Sequence, residues 1–173
     1  VVHRAQASVY DVAQKLPAYA GYLVEKEVST LSSVKDDPAH PYVVVLGGSK
    51  VSDKLGVIEA LAAKADKVVI GGGMCYTFLA AQGHNVQESL LQEDMIDTCK
   101  ELIERYGDKL LLPVDLSAAE KFDKDAETKI VDLDGIPEGW MSLDIGPETA
   151  KKYAAAIEDS KTCLLYTSDA ADE

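Results

Sequence analysis

The stretch VVVLGGSKVSDKLGVIEAL, residues 43–61, decides the fold. With Tyr42 it opens on a continuous β-branched run, YVVVL, the pattern of a strand buried on both faces. The run ends in Gly47 and Gly48, and a helical segment follows in which Leu55, Ile58, Leu61 and Ala62 share one face. Ser52 is the expected N-cap of that helix. A buried strand, a glycine turn and a helix form the opening unit of a parallel α/β sheet, in which ligands bind beyond the carboxyl ends of the strands. The glycines let a ligand approach the backbone closely. The helix start adds free N–H groups and a positive dipole end. Lys50 and Lys54 add two full charges, and a helix beginning near Lys50 brings them to one side at i, i+4 spacing. The ligand this pattern fits is a polyphosphate, though a glycine turn with solvated lysines has the same spacing. Neither GxxxxGK[ST] nor GxGxxG is present.

Working outward, KVVI (67–70) reads as a second buried strand and runs into Gly71, Gly72 and Gly73. Three consecutive glycines are costly in conformational entropy. They admit a flat ligand or another backbone lying against them, or a tight strand-to-helix turn. Helices are expected over 74–82, closed by Gly83, and over 91–106, with Met95, Ile96, Cys99, Leu102 and Ile103 inward. KLLLPVD (109–115) is a third strand stopped by Pro113. Residues 139–146 form a fourth strand or extended segment, and Pro147 opens a helix over 147–159. Upstream, an amphipathic helix is expected from Leu16 to Leu31, with Pro17 in its first turn. Turn residues up to Pro38 and Pro41 follow as a connector. The expected fold is α/β: a parallel sheet with right-handed crossovers and helices on both faces.

Composition narrows the function. The 173 residues carry 17 basic and 30 acidic side chains, a net charge of −13, with no basic block, which disfavours a nucleic-acid partner. No apolar run approaches a membrane span, and the first residues lack a basic stretch followed by an apolar core, so neither membrane insertion nor a signal peptide is expected. Cys75, Cys99 and Cys163 show no CxxC spacing, which fits a reducing cytoplasm. His3 and Arg4 pair near the amino end, where an arginine suits bidentate phosphate or carboxylate binding and is also common on a surface. Asp53, between the lysines, either joins a metal–phosphate site or pairs with a lysine. Asp115 and Asp144 stand at strand ends, where both sites and caps form.

In combination, HRAQAS (3–8), LPAYAGYLVEKE (16–27), residues 43–61, IGGGMCYTFLAAQG (70–83), SLLQED (89–94), LLPVDLSAAEKF (111–122) and IPEGWMSLDIGPET (136–149) resemble the phosphoglycerate kinase family, in the family's order. The resemblance implies a two-lobed kinase with a Rossmann-like nucleotide lobe. Such a kinase moves a phosphoryl group from 1,3-bisphosphoglycerate to ADP, giving 3-phosphoglycerate and ATP with Mg2+, in glycolysis, in the cytoplasm and as a monomer at full length. It implies Arg4, with His3, for phosphoglycerate. It implies Gly48, Ser49 and Lys50 for the nucleotide phosphates, and Lys54 for ATP and the migrating phosphoryl. Gly71, Gly72 and Gly73 would wall the adenine, with Ser142 beside the nucleotide and Asp53 as a metal candidate. Gln6 stands where the family usually has His, and Ser142 where it usually has Gly.

The implied organisation is a remnant of the substrate lobe (1–15), an interlobe helix and connector (16–41), and part of the nucleotide lobe (42–162). The family's later WNGPxGxFE and GGGDT segments do not occur. The string CLLYTSDAADE (163–173) instead resembles a translated sequencing adapter and is expected to be a non-native tail. A polypeptide with so little of the substrate lobe is expected to be inactive alone. A non-catalytic nucleotide-binding α/β module is the alternative, and an NAD-type oxidoreductase is weakened by the missing GxGxxG.

Overall fold

The structure, a computed structural model, describes residues 5–166. The chain divides after Asp37 into two units. The first contains helix α1 (Tyr22–Asp36), entered from Gly21 in an extended conformation. The expected helix over 16–31 is therefore shifted. Its start is later because residues 16–21 do not continue a helical turn. Its end is also later, since the turn-forming serines are tolerated on an exposed helix: the Ser29 and Ser33 hydroxyls donate back to the carbonyls of Lys26 and Thr30. No residue of α1 is buried, and Leu23 is 83% exposed.

The second unit carries the site. Its elements are β1 (Tyr42–Leu46), α2 (Val51–Ala62), β2 (Lys67–Ile70), α3 (Cys75–Ala81), α4 (Ile96–Tyr106), β3 (Leu110–Leu111), β4 (Asp115–Ala119), β5 (Thr128–Asp132), β6 (Met141–Ile145), α5 (Pro147–Glu158) and β7 (Thr162–Tyr166). Four strands form a parallel sheet in the order β3-β2-β1-β7, with Val44 opposite Val68 and Leu46 opposite Ile70. The side-chain period of two sends Val43, Val45 and Val69 to one face and Val44, Leu46 and Ile70 to the other. Tyr153 of α5 packs on the first face against Val43 and Val69. It also donates its hydroxyl to the Ile70 carbonyl at 2.9 Å. On α2, Val51, Ile58 and Ala62 are buried, which gives that helix its inward stripe. The α/β architecture with a parallel sheet and helices is as the sequence predicts.

Two local expectations are corrected. Ser52 does not cap α2: Lys50 occupies the N-cap position and Ser52 lies inside the first turn. Residues 109–115 are not one strand. β3 ends at Leu111, Pro113 interrupts the pairing, and Asp115 opens a strand of a different sheet. That second sheet, order β5-β4-β6, is antiparallel and takes up the segment expected as a fourth strand. Elsewhere the glycine signal holds, because α3 closes in a Schellman arrangement: Gly83 at φ +97, with the His84 N–H on the Leu79 carbonyl and the Gly83 N–H on the Ala80 carbonyl. Residues 162–166 pair with β1 in parallel register as the edge strand β7, and residues 167–173 lie outside the described residues.

Asp115 shows how the two sheets are fixed together. It is 7% exposed and accepts hydrogen bonds from the backbone N–H of Glu148 (3.0 Å) and Thr149 (2.7 Å) and from the Thr149 hydroxyl (2.5 Å). It thus caps the first turn of α5 from a neighbouring strand, which settles its role as a cap. Burial pushes this carboxyl up, but the hydrogen bonds from Thr149 and Glu148 outweigh it and hold the group below the ordinary carboxylate range. A depressed folded-state value means that the stabilisation is complete above the unfolded value and is lost as pH falls through the folded one. Asp115→Asn is therefore expected to cost about 1–2 kcal/mol at neutral pH. The gap to the parent chain should close in acid, and urea unfolding at pH 7 and at pH 3 measures both quantities. A gap that persists unchanged at pH 3 contradicts this role.

Candidate nucleotide site

The ends of β1 and β2 bring the two glycine loops into backbone contact. The Gly71 N–H donates to the Leu46 carbonyl at 2.8 Å, and the Met74 N–H to the Gly48 carbonyl at 3.0 Å. Gly48 and Gly72 have φ of +145° and +66°. A Cβ on Gly72 would lie 2.7 Å from the Gly48 carbonyl oxygen and 2.8 Å from its nitrogen. Of the readings open for the triple glycine, the one seen here at Gly72 is another backbone, that of Gly48. Gly73 is the link outward: a Cβ there would meet Ser49 Cα at 3.5 Å, and Gly73 also lines a cavity.

Helix α2 begins immediately after this loop. Lys50 is exposed at the N-cap and supplies no side-chain cap. Lys54, one turn further, is half-buried. Its stem lies across the loop, since a Cβ on Gly48 would meet Lys54 Cε at 3.3 Å. The Lys54 ammonium sits 4.4 Å from the centroid of the Tyr166 ring at the end of β7. The loop is thus bounded by two glycine-rich backbones, two lysines and the positive end of a twelve-residue helix. Asp53 is exposed in the same first turn, with the Ser52 hydroxyl 3.4 Å from its carboxylate. No group of three or more His, Cys, Asp or Glu side chains able to hold a metal comes together among the described residues.

Beside the loop is a cavity of about 330 Å³. Gly73, Leu90, Phe122, Met141 and Leu143 give it apolar walls, with Tyr76, Glu88 and Ser142 also on its lining. Ser142 is 1% exposed. Its N–H donates to the Ser89 hydroxyl at 2.8 Å, and its own hydroxyl turns toward the carbonyls of Ser117 and Asp144 at 3.4 and 3.3 Å. Its hydroxyl thus lies within reach of two backbone acceptors and of the Tyr76 hydroxyl. Phe122 is 86% exposed at the rim. Burial pushes the Tyr76 hydroxyl well up, with the Ser142 hydroxyl hydrogen-bonded to it pulling the other way, and it pushes the Cys75 thiol up to about 12. Cys99 is likewise raised to about 12 by burial, so both thiols are inert packing groups.

The structure brings Gly48, Ser49, Lys50, Lys54, Gly71, Gly72, Gly73 and Ser142 to one end of the parallel sheet and the cavity beside it. His3 and Arg4 lie outside the described residues. His40 and His84 make structural ties, with Nδ1 2.5 Å from Asp66 and 2.9 Å from Asp134 respectively. Leu90, Phe122, Met141 and Leu143 were not legible as site residues. An apolar wall leaves no spacing signal of its own, and they come from three separate segments.

Two glycine-rich loops beside an apolar cavity of about 330 Å³ thus stand at the carboxyl ends of a parallel α/β sheet, where folds of this class bind their ligands. Residues 1–167 match the model of the family described as phosphoglycerate kinase, and the chain belongs to that family. It is 75% identical to the phosphoglycerate kinase of Corynebacterium aurimucosum over 162 residues, 94% of this chain and 40% of that protein. It is 69% identical to that of Corynebacterium glutamicum strain R over the same share of each. The chain thus spans about 40% of the length of these curated relatives. Among solved structures, phosphoglycerate kinase from Coxiella burnetii superposes with a TM-score of 0.81 at 35% identity, over 84% of this chain and 38% of that one. The enzyme from Pyrococcus horikoshii gives 0.79 at 26% identity, over 95% and 43%.

Proposed function

We propose that residues 42–162 are part of the nucleotide lobe of a phosphoglycerate kinase and bind ADP and ATP. The whole enzyme would transfer a phosphoryl group reversibly from 1,3-bisphosphoglycerate to ADP, in cytoplasmic glycolysis. The observation that carries the reading is Gly73, which lies against Ser49 of the glycine–lysine loop and also lines the cavity. One ligand can therefore place a flat base in the slot and its phosphates at Gly48, Ser49, Lys50 and the α2 N-terminus. Lys54, held across Gly48, is the residue aimed at the transferring phosphoryl. Little covalent chemistry falls to the protein in such a transfer: it orients the phosphates, neutralises developing charge and excludes water.

Magnesium fits this site only together with the nucleotide. The described residues offer no cage, and Asp53 is a single exposed carboxylate of the kind that joins phosphate oxygens around that ion. When bound, it supplies neutralisation of phosphate charge. Arg4 and His3 belong, in this reading, to the phosphoglycerate side, within the substrate-lobe remnant of residues 1–15, with residues 16–41 as interlobe helix and connector. Residues 163–173 are assigned to a non-native tail, and the uninterrupted genomic locus tests that assignment. With so little of the substrate side present, the polypeptide alone is a nucleotide-binding body without turnover, and the full-length protein acts as a monomer. No helix among the described residues is long and apolar enough to cross a membrane.

Thermal unfolding with added ligand tests the reading. ADP at about 100 times its Kd is expected to stabilise the chain by roughly 2.7 kcal/mol, and NAD at the same concentration to leave the midpoint unchanged. Equal shifts with both, or a shift with NAD alone, would point to a dinucleotide site instead.

A further inference from the structure

Between α3 and α4 runs a short strap, residues 88–92, that reaches both the cavity and the first turn of α2. The Glu88 N–H donates to the Trp140 carbonyl at 3.1 Å, and the Ser89 hydroxyl receives the Ser142 N–H, so the strap is fastened to β6, the strand that floors the cavity. Glu88 and Leu90 line the cavity, and Leu90 lies directly on Gly73. Two residues on, Gln92 turns the other way. Its N–H donates to the hydroxyl of Thr77, which is buried in α3. Its side-chain oxygen accepts the Ser52 N–H at 3.2 Å, while its side-chain nitrogen donates to the Ser52 hydroxyl at 2.9 Å.

This two-point grip holds the first turn of α2, the turn between Lys50 and Lys54. A helix start normally leaves its first N–H groups without intrahelical partners. Here the N-cap side chain supplies none, and Gln92 takes the Ser52 N–H from across the structure. We infer that Gln92 is a positioning residue. It fixes the orientation of the lysine-bearing helix end against the strap whose Leu90 lines the base cavity, and so sets how well phosphates are held once a base is seated. The inference rests on the nucleotide reading above for its ligand, but the grip itself exists without one.

The test uses the whole 173-residue chain and Gln92→Met, which keeps the length of the side chain and removes both hydrogen bonds. In the unliganded protein, amide exchange at residues 51–54 is expected to accelerate about fivefold, the scale of one lost capping interaction. Gln92→Glu, which still accepts the Ser52 N–H and can accept from the Ser52 hydroxyl in place of the bond that the amide nitrogen donates, restores the protection. With ligand, ADP is expected to bind about fivefold more weakly to Gln92→Met while adenosine binds as before. Unchanged exchange at 51–54 overturns the inference, and so does equal weakening of ADP and adenosine, which a loosened cavity would produce. A parent chain that binds neither ligand overturns the nucleotide reading and the ligand half of this one. Binding by the parent with no effect in the variant overturns the inference alone.

Discussion

Lys54→Ala, made in a chain extended to the full length of its relatives, is expected to cut turnover about 10²–10³-fold while weakening ADP less than about tenfold. The ground-state nucleotide still has the α2 N-terminus, Lys50 and the Gly48 loop. What it loses is the ammonium whose stem crosses Gly48, where a Cβ would meet Lys54 Cε at 3.3 Å. In this chain that ammonium rests 4.4 Å from the Tyr166 ring centroid. A cation placed for charge that grows only as the phosphoryl moves contributes to kcat far more than to binding. Steady-state rates in a coupled assay, set beside ADP affinity by calorimetry, separate the two. Equal losses in both would assign Lys54 to uniform nucleotide binding.

Gly72→Ala is expected to destabilise the chain by about 3 kcal/mol or more. Its φ of +66° is unfavourable for alanine, and the new methyl would sit 2.7 Å from the Gly48 carbonyl oxygen. Gly48 cannot retreat freely, because its carbonyl already accepts the Met74 N–H, and the Gly71 N–H is held by Leu46. Relief of the clash would displace the phosphate loop, so ADP binding should be lost together with stability. Gly56 is the control. It lies inside α2, where an added methyl would meet nothing within 4 Å, and Gly56→Ala should stabilise by about 0.5–1 kcal/mol. Urea unfolding of both variants decides the matter, and a Gly72→Ala chain as stable as the parent would remove the reason given for that glycine.

The parallel half of the sheet was legible because both its faces are covered. YVVVL and the VVI of KVVI are continuous apolar runs, and each ends in glycines that the backbone geometry demands. The antiparallel sheet was not. β5 is almost wholly exposed, so its pattern of alternation carries no core signal, and the change of sheet at Pro113 looks in sequence like a strand simply ending. Helix α1 was misplaced at both ends for a related reason: with no residue buried, neither its start nor its stop is set by packing. In the site, the lysines and glycines announce themselves through chain chemistry. Gln92 does not, because its meaning lies in a contact forty residues away in sequence. The cavity walls likewise exist only once β6 and residues 88–92 are folded against each other.

The most direct measurement follows the backbone amides of the isotopically labelled chain during titration with ADP. If one nucleotide spans the loop and the cavity, Gly48, Ser49, Lys50, Gly73 and Ser142 shift along a single saturating curve, and inorganic phosphate moves only the first three. Shifts confined to residues outside this set, or phosphate and adenosine moving the two groups independently with ADP no tighter than either, would contradict a shared nucleotide site.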